Sequence, residues 1–396
     1  MMRMREVVIV SGVRTAIGTF GGSLKDFSPV DMGMLVAREA LKRSGLAAEA
    51  VGHVVFGNVI QSKPEDMYLA RVIALKAGIS QATPALTVNR LCGSGLQAII
   101  SAAQSIMLGD CDTALAGGSE NMSQAPYSSQ APRFGARLGD VRLTDMLLGA
   151  LTDPIHDIHM GITAENIARA YHISRGAQDE LALQSHQRAA RAIAEGRFKR
   201  QILPILVKTG RTERIFDTDE HVRPNSQLKD FQQLKPAFDR EHGQVTAGNA
   251  SGLNDGAAAM ILMEHQAAKA KGCKPMARLV SYAHAGVDPK LMGIGPVPAT
   301  RMALLKAGLS IADLDVIEAN EAFATQACAV AKELDLPTDN LNPNGSGISL
   351  GHPIGATGAI ITLKALHELE RVGGRYALVT MCIGGGQGIA AIFERM

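Results

Sequence analysis

With 396 residues the chain is too long for one simple domain and predicts two or three. A composition of 46% hydrophobic and 20% charged residues excludes a disordered or fibrous protein, and so long a chain needs neither disulfides nor a metal to fold. Lys plus Arg number 40 against 38 Asp plus Glu, a net charge of +2 that argues against a general nucleic-acid binder while allowing a local basic patch for a small anion. In chain order, β-branched runs at 7–10, 54–59, 113–116, 278–281, 316–318 and 377–381 read as strands. Helical stretches at 94–108, 301–307 and 357–370 alternate with them, which predicts α/β layers with a largely parallel sheet. No run of 18 uninterrupted apolar residues and no signal-peptide core occur, so a soluble, cytoplasmic protein is expected.

The two ends resemble each other. Cys92-Gly-Ser-Gly and His352-Pro-Ile-Gly-Ala-Thr-Gly each open a helix that leads to a strand and then to a glycine pair, Gly117-Gly118 or Gly384-Gly385. Two copies of one α/β unit would produce this pattern. The middle, about 122 to 248, reads as a long excursion inserted into the first copy. It holds a helix over 177–195 led by the N-cap candidate Ser174, and a polar stretch over 208–240. Its basic residues Arg188, Arg197, Lys208, Arg211, Arg214 and Arg223 are expected mostly to be solvated.

Four places carry potential chemistry. Cys92, in Asn89-Arg90-Leu91-Cys92-Gly93-Ser94-Gly95, precedes an apolar helix, where the dipole and free N–H groups lower a thiol pKa and hold an oxyanion. His352 lies between Gly351 and Pro353, in a turn that can aim an imidazole as the base for Cys92, although a turn histidine bonded to backbone would look the same. Cys382 ends an apolar strand before Gly384-Gly385-Gly386, whose N–H groups suit an anion. Asn320, beside Glu321 at a strand end, positions a water or an oxyanion, or else caps a helix. Cys111, Cys273 and Cys328 are assigned to packing. With no CxxC pair there is no reason to expect a zinc site, and no metal is assigned.

Together these segments resemble the thiolase family over essentially the whole chain. The joint occurrence of Asn-Arg-Leu-Cys-Gly-Ser-Gly, Asn320-Glu-Ala-Phe-Ala, Gly351-His-Pro-Ile-Gly and Cys382-Ile-Gly-Gly-Gly is very specific. Matches at 8–18, 159–166 and 245–256 extend it, and within the family the likeness is to bacterial biosynthetic β-ketothiolases of polyhydroxyalkanoate metabolism, including the type with relaxed chain-length preference. The resemblance implies a duplicated five-layer αβαβα fold. It implies an N-terminal core domain of residues 1–121 plus 249–272, a loop domain of 122–248 over CoA and substrate, and a C-terminal core domain of 273–396. It also implies a homotetramer, a dimer of dimers.

For chemistry it implies an acyltransferase that interconverts acetyl-CoA or short-chain acyl-CoA with 3-ketoacyl-CoA. CoA is substrate and product, no cofactor is needed, and neither nucleic acid nor membrane is a partner. Cys92 would carry the acyl group, His352 would activate it, and Asn320 would hold a water that helps His352 stabilise an enolate. Cys382 would transfer the α-proton, and the N–H groups of Cys92 and Gly384 would form an oxyanion hole. Ser251 would contact pantetheine and Arg223 the adenine end, with His159, Met160, Phe238, Met292, Ala322 and Phe323 as tunnel walls. Thr357, Ile360 and residues 344–349 depart from the usual family pattern, and none is expected to touch a reacting group. The alternatives are a ketoacyl synthase acting on acyl carrier protein, a non-catalytic acyl-CoA carrier on the same fold, and a cysteine hydrolase using Cys92 and His352.

Overall fold

A computed structural model describes residues 5–209 and 212–396, so Arg211 lies outside the described residues. The first half runs β1 (Val7–Arg14), α1 (Pro29–Ser44), β2 (His53–Gly57), α2 (Leu69–Lys76), β3 (Ala85–Val88), α3 (Ser94–Leu108) and β4 (Thr113–Asn121). After the excursion, which includes α4 (Met160–Tyr171) and α5 (Arg175–Ala194), it closes with β5 (Asn254–Glu264). The second half runs β6 (Ala277–Gly286), α6 (Pro296–Ala307), β7 (Val316–Ala319), α7 (Ala324–Glu333), α8 (Thr357–Val372), β8 (Tyr376–Ile383) and β9 (Gln387–Arg395).

The strands join in the order β7-β8-β9-β6-β1-β5-β4-β2-β3, and the short strand Gly18–Thr19 adds to β5. Within each half the arrangement repeats. In the first, β2 is parallel to β3 and β4, while β5 runs antiparallel between β4 and β1. In the second, β7 is parallel to β8, and β9 runs antiparallel between β8 and β6. The counterpart of β3 is reduced to a parallel bridge from Leu341 to Ile317. The halves meet where β1 pairs with β6 over Val8–Arg278 and Ile9–Ala277.

A finer feature repeats as well. The register of β1 against β5 shifts between Ile9 and Ser11, and that of β6 against β9 shifts between Leu279 and Ser281. Each shift places a buried serine under its outer helix: Ser11 donates to the Ala40 carbonyl and Ser281 to the Ala303 carbonyl, both at 2.7 Å. Such a bulge with the same side-chain bond in both halves is the residue-level mark of duplication.

The sheet is mixed, with antiparallel pairings in the majority, not largely parallel as expected. Strand direction follows the connections. The excursion brings β5 back antiparallel, and the tight Gly384–Gly386 turn sends β9 back along β8. Helices α3 and α8 pack together between the two half-sheets, with α1 and α2 outside one half and α6 and α7 outside the other, giving five layers. The segment Leu91–Leu108 has the length and hydropathy of a membrane span, and here α3 is the core helix.

The crossing of α3 and α8 places the site, and glycine sets its closeness. A Cβ on Gly95 would sit 2.7 Å from the Ala359 nitrogen, and one on Gly358 would sit 2.3 Å from the Leu96 nitrogen. Hence the start of each helix lies against the backbone of the other, and the turns before them, holding Cys92 and His352, share one end of the sandwich.

The excursion is tied into the core by more than its ends. Arg14 of β1 and Asp219, both fully buried, form a two-pronged pair at 2.7 and 2.9 Å. Ala189, Ala192, Phe198 and Ile202 join the main hydrophobic cluster. The residues expected to be solvated divide. Lys208 and Arg214 are largely exposed, whereas Arg188 binds the carbonyls of Thr338 and Leu341 and Arg197 binds Asn344 Oδ1.

Candidate active site

Cys92 stands on a turn made by its neighbours. Leu91 has φ 45°, a left-handed conformation that costs a branched side chain about 1–2 kcal/mol. Side chains hold it there: Asn89 Oδ1 accepts the Leu91 N–H at 2.9 Å, and Ser94 Oγ accepts the Arg90 N–H at 2.9 Å while donating to the Leu91 carbonyl at 2.6 Å. Gly93 lets this turn touch the next one, since a Cβ there would be 2.6 Å from Ile383 Cδ1.

Cys382 lies near the end of β8, where Gly385 and Gly386, at φ 77° and 79°, turn the chain into β9. The N–H groups of Gly384 and of Cys92 itself point at the Cys92 sulfur. The helix start was expected to lower the Cys92 pKa. Instead burial outweighs these donors and pushes the thiol up to about 11. Burial, and then the neighbouring Cys92, push Cys382 up further still. Both are therefore protonated thiols at neutral pH.

Gly351, at φ 111°, swings the chain so that the His352 N–H donates to Asn254 Oδ1 at 2.9 Å. The buried imidazole has Nδ1 2.7 Å from Thr357 Oγ1 and Nε2 3.5 Å from Asn320 Nδ2. Thr357 thus touches a proposed reacting group, contrary to the sequence reading. Asn320 continues β7 by donating its N–H to the Thr380 carbonyl at 3.0 Å, and its side-chain oxygen is buried without a protein partner.

Glu120, at the end of β4, was not singled out in the sequence. Its carboxylate accepts from the N–H groups of Val59 (3.0 Å), Ile60 (3.1 Å) and Gly355 (2.9 Å) and from Asn58 Nδ2 (3.2 Å). It therefore clamps the His352 turn onto the first half.

Burial lowers the His352 pKa to about 4, so the imidazole is neutral at pH 7. In an unfolded chain it would titrate near 6.5, so between these values the unfolded state binds more protons. The stability this group confers is complete above pH 6.5 and is lost as the pH falls towards 4, by about 3 kcal/mol. Thermal unfolding from pH 7 to 4.5 should accordingly fall less steeply for His352→Asn than for the wild type. Equal slopes would show that His352 is not held neutral.

A single cavity of about 390 Å³ is bounded by Cys92, His352, Cys382, His159, Met160, Phe238, Ser251, Met292, Ala322 and Phe323. His159 caps α4 by accepting the Gly161 N–H on Nδ1 at 3.0 Å, and its ring stacks on Phe238 at 4.7 Å. Phe238 meets Phe323 edge-on at 6.4 Å. Ser251 is fixed by its N–H to the Ala322 carbonyl at 2.9 Å. Met122, Leu151, Leu253 and Ile354 complete the wall near Cys92. They went unnoticed in the sequence because isolated apolar residues carry no local signal.

Three expected residues lie outside this wall. Asn320 stands behind His352, Gly384 contributes its N–H, and Arg223 sits on a loop whose His221 packs against Gly252, with its own N–H bound to His186 Nδ1 at 3.1 Å.

A part-buried and a buried thiol, a neutral imidazole and a pair of N–H groups at one sulfur, in an apolar-walled cavity, define a thiol-dependent acyltransferase. The chain belongs to the thiolase family: residues 7–266 match the model of the thiolase N-terminal domain and residues 273–395 that of the C-terminal domain. It is 67% identical to beta-ketothiolase BktB of Cupriavidus necator over 99% of this chain and 100% of that one. It is 49% identical to the acetyl-CoA acetyltransferase of Escherichia coli over 99% and 100% of the respective chains. The crystal structure of human mitochondrial 3-ketoacyl-CoA thiolase superposes with a TM-score of 0.97 at 48% identity, covering 99% of both chains. A complex of that human enzyme with CoA gives 0.96 at 47% identity, covering 99% of this chain and 98% of that one.

Proposed function

We propose that this protein is a β-ketothiolase that condenses acetyl-CoA with acetyl-CoA or a short acyl-CoA to 3-ketoacyl-CoA, and cleaves the product with CoA in reverse. The observation that carries this is the meeting of Cys92, His352 and Cys382 in one cavity. Cys92 Sγ attacks the thioester carbon of the first acyl-CoA while its proton passes to His352 Nε2. The departing CoA sulfur takes the proton of Cys382. The Cys382 thiolate then removes the α-proton of a second acetyl-CoA, and the carbanion attacks the acyl carbon. Cys92 leaves as a thiolate and recovers its proton from His352, so every proton is returned.

The acyl oxygen faces the N–H groups of Cys92 and Gly384, a role supported by their direction at the Cys92 sulfur. The enolate oxygen faces His352 and a water on Asn320, supported by that residue's buried, unpartnered oxygen. Ser251 contacts pantetheine and Arg223 the adenine end of CoA, which serves as substrate and product with no further cofactor. Residues 122–248 form the loop domain over substrate, between core domains of 1–121 plus 249–272 and 273–396. Met122, Leu151, His159, Met160 and Phe238 of that segment in the cavity wall support this division. A homotetramer is supported by the exposed apolar side chains Phe134, Leu138 and Leu143 of one surface stretch, and we assign the enzyme to the cytoplasm.

A synthase acting on acyl carrier protein is disfavoured because a cysteine, Cys382, occupies the second position beside Cys92. The test is CoA-dependent loss of acetoacetyl-CoA, run beside 3-ketovaleryl-CoA and a longer 3-ketoacyl-CoA. Cleavage of all three is expected; cleavage of acetoacetyl-CoA alone would narrow the substrate class. Failure to cleave any, with Cys92 still acetylated by acetyl-CoA, would overturn the reading.

A further inference from the structure

We propose that Thr357 is the positioning residue of the catalytic base: its hydroxyl accepts the Nδ1–H of His352 and so leaves the Nε2 lone pair free to take the Cys92 proton. The inference rests on the functional reading above. Thr357 Oγ1 has one proton, and at 2.9 Å it is directed to the Pro353 carbonyl, one turn back in the chain. Towards His352 Nδ1, at 2.7 Å, the oxygen then presents only lone pairs, so the nitrogen must carry the hydrogen. Both bonds are buried. On the far side of the ring, Asn320 Nδ2 lies 3.5 Å from Nε2, at the limit of a hydrogen bond, so the Nε2 lone pair is not tied up.

In serine hydrolases a carboxylate behind the histidine holds the tautomer and stabilises the imidazolium. Here the group behind the ring is an uncharged hydroxyl. It holds the tautomer without drawing a proton onto the ring at rest, and it keeps accepting Nδ1–H when Nε2 becomes protonated. The methyl of Thr357 restricts rotation about the bond that carries the hydroxyl.

The experiment compares Thr357→Val, which keeps the shape and removes the hydroxyl, with Thr357→Ser, which keeps the hydroxyl. The readouts are the single-turnover rate of Cys92 acetylation by acetyl-CoA across pH and the affinity for CoA. Thr357→Val is expected to acetylate about 10- to 100-fold more slowly with CoA affinity unchanged, and Thr357→Ser to stay within about threefold of wild type. Equal acetylation rates in wild type and Thr357→Val would overturn the proposal. So would matching losses in both variants, which would mark a purely structural role. A second measurement does not depend on the folding of any threonine variant: ¹⁵N NMR of histidine-labelled wild-type protein, with His352 assigned by its loss in His352→Asn. A protonated Nδ1 and bare Nε2 are expected, and a protonated Nε2 at neutral pH would overturn the assignment. Wild-type protein that takes no acetyl group would instead defeat the functional reading itself.

Discussion

Cys92→Ala is expected to take up no acetyl group from labelled acetyl-CoA and to lose thiolysis on the order of 10⁶-fold, as loss of a nucleophile does elsewhere. No other cysteine is placed to substitute. Cys382 is in the cavity, but two pressures raise its pKa, burial and the thiol beside it; with Ala at position 92 the first remains, and the backbone N–H directed at its sulfur is its own. Cys328, pushed up to about 12 by burial, lies on α7 and outside the cavity, and Cys111 follows the end of α3 away from it. The thiol is small and its turn is fixed by Ser94 and Asn89, so the variant should fold and bind CoA as the wild type does. Intact-mass measurement after acetyl-CoA treatment checks the expectation. One full acetyl group on the alanine variant would mean that the nucleophile lies elsewhere.

The same turn shows how much of the site the sequence could disclose. Cys92, His352 and Cys382 were legible because each is a reactive residue set among glycines, and the structure explains the glycines: Gly95 and Gly358 let α3 and α8 meet backbone to backbone, and Gly351 takes a φ of 111°. Residues acting across the chain were not legible. Glu120 holds the Gly355 N–H from 235 positions away, and nothing near Glu120 in the sequence marks it as a clamp. Thr357 was noticed only as a departure, because its bond to His352 depends on how the turn before α8 closes. In the fold, the β-branched strands β1, β2 and β8 announced themselves. β5, Asn-Asp-Gly-Ala-Ala-Ala-Met-Ile-Leu-Met-Glu, did not, for its first six residues are Asn, Asp, Gly and Ala and it gains its strand character from pairing on both sides. Missing β5 and β9 removed the antiparallel partners and left the sheet looking parallel.

Cys382→Ser is expected to separate the two half-reactions. Cys92 should still be acetylated to full stoichiometry, because its thiol, its two N–H donors and the His352 base remain. Carbon–carbon bond making and breaking should fall about 10²–10⁴-fold, the usual contribution of a positioned acid/base. Serine retains the shape and the pairing of position 382 with Gly388, but a hydroxyl holds its proton far more tightly than a thiol and cannot alternate between acid and base here. The discriminating measurement is exchange of the α-hydrogens of acetyl-CoA with deuterated water, which needs proton removal but no bond formation. Exchange should vanish in Cys382→Ser and persist in the wild type. Retained exchange with lost condensation would place the proton transfer on another group of the cavity wall, such as His352. Near-wild-type condensation would remove Cys382 from the mechanism altogether and leave its burial beside Cys92 as a packing feature of the β8 turn.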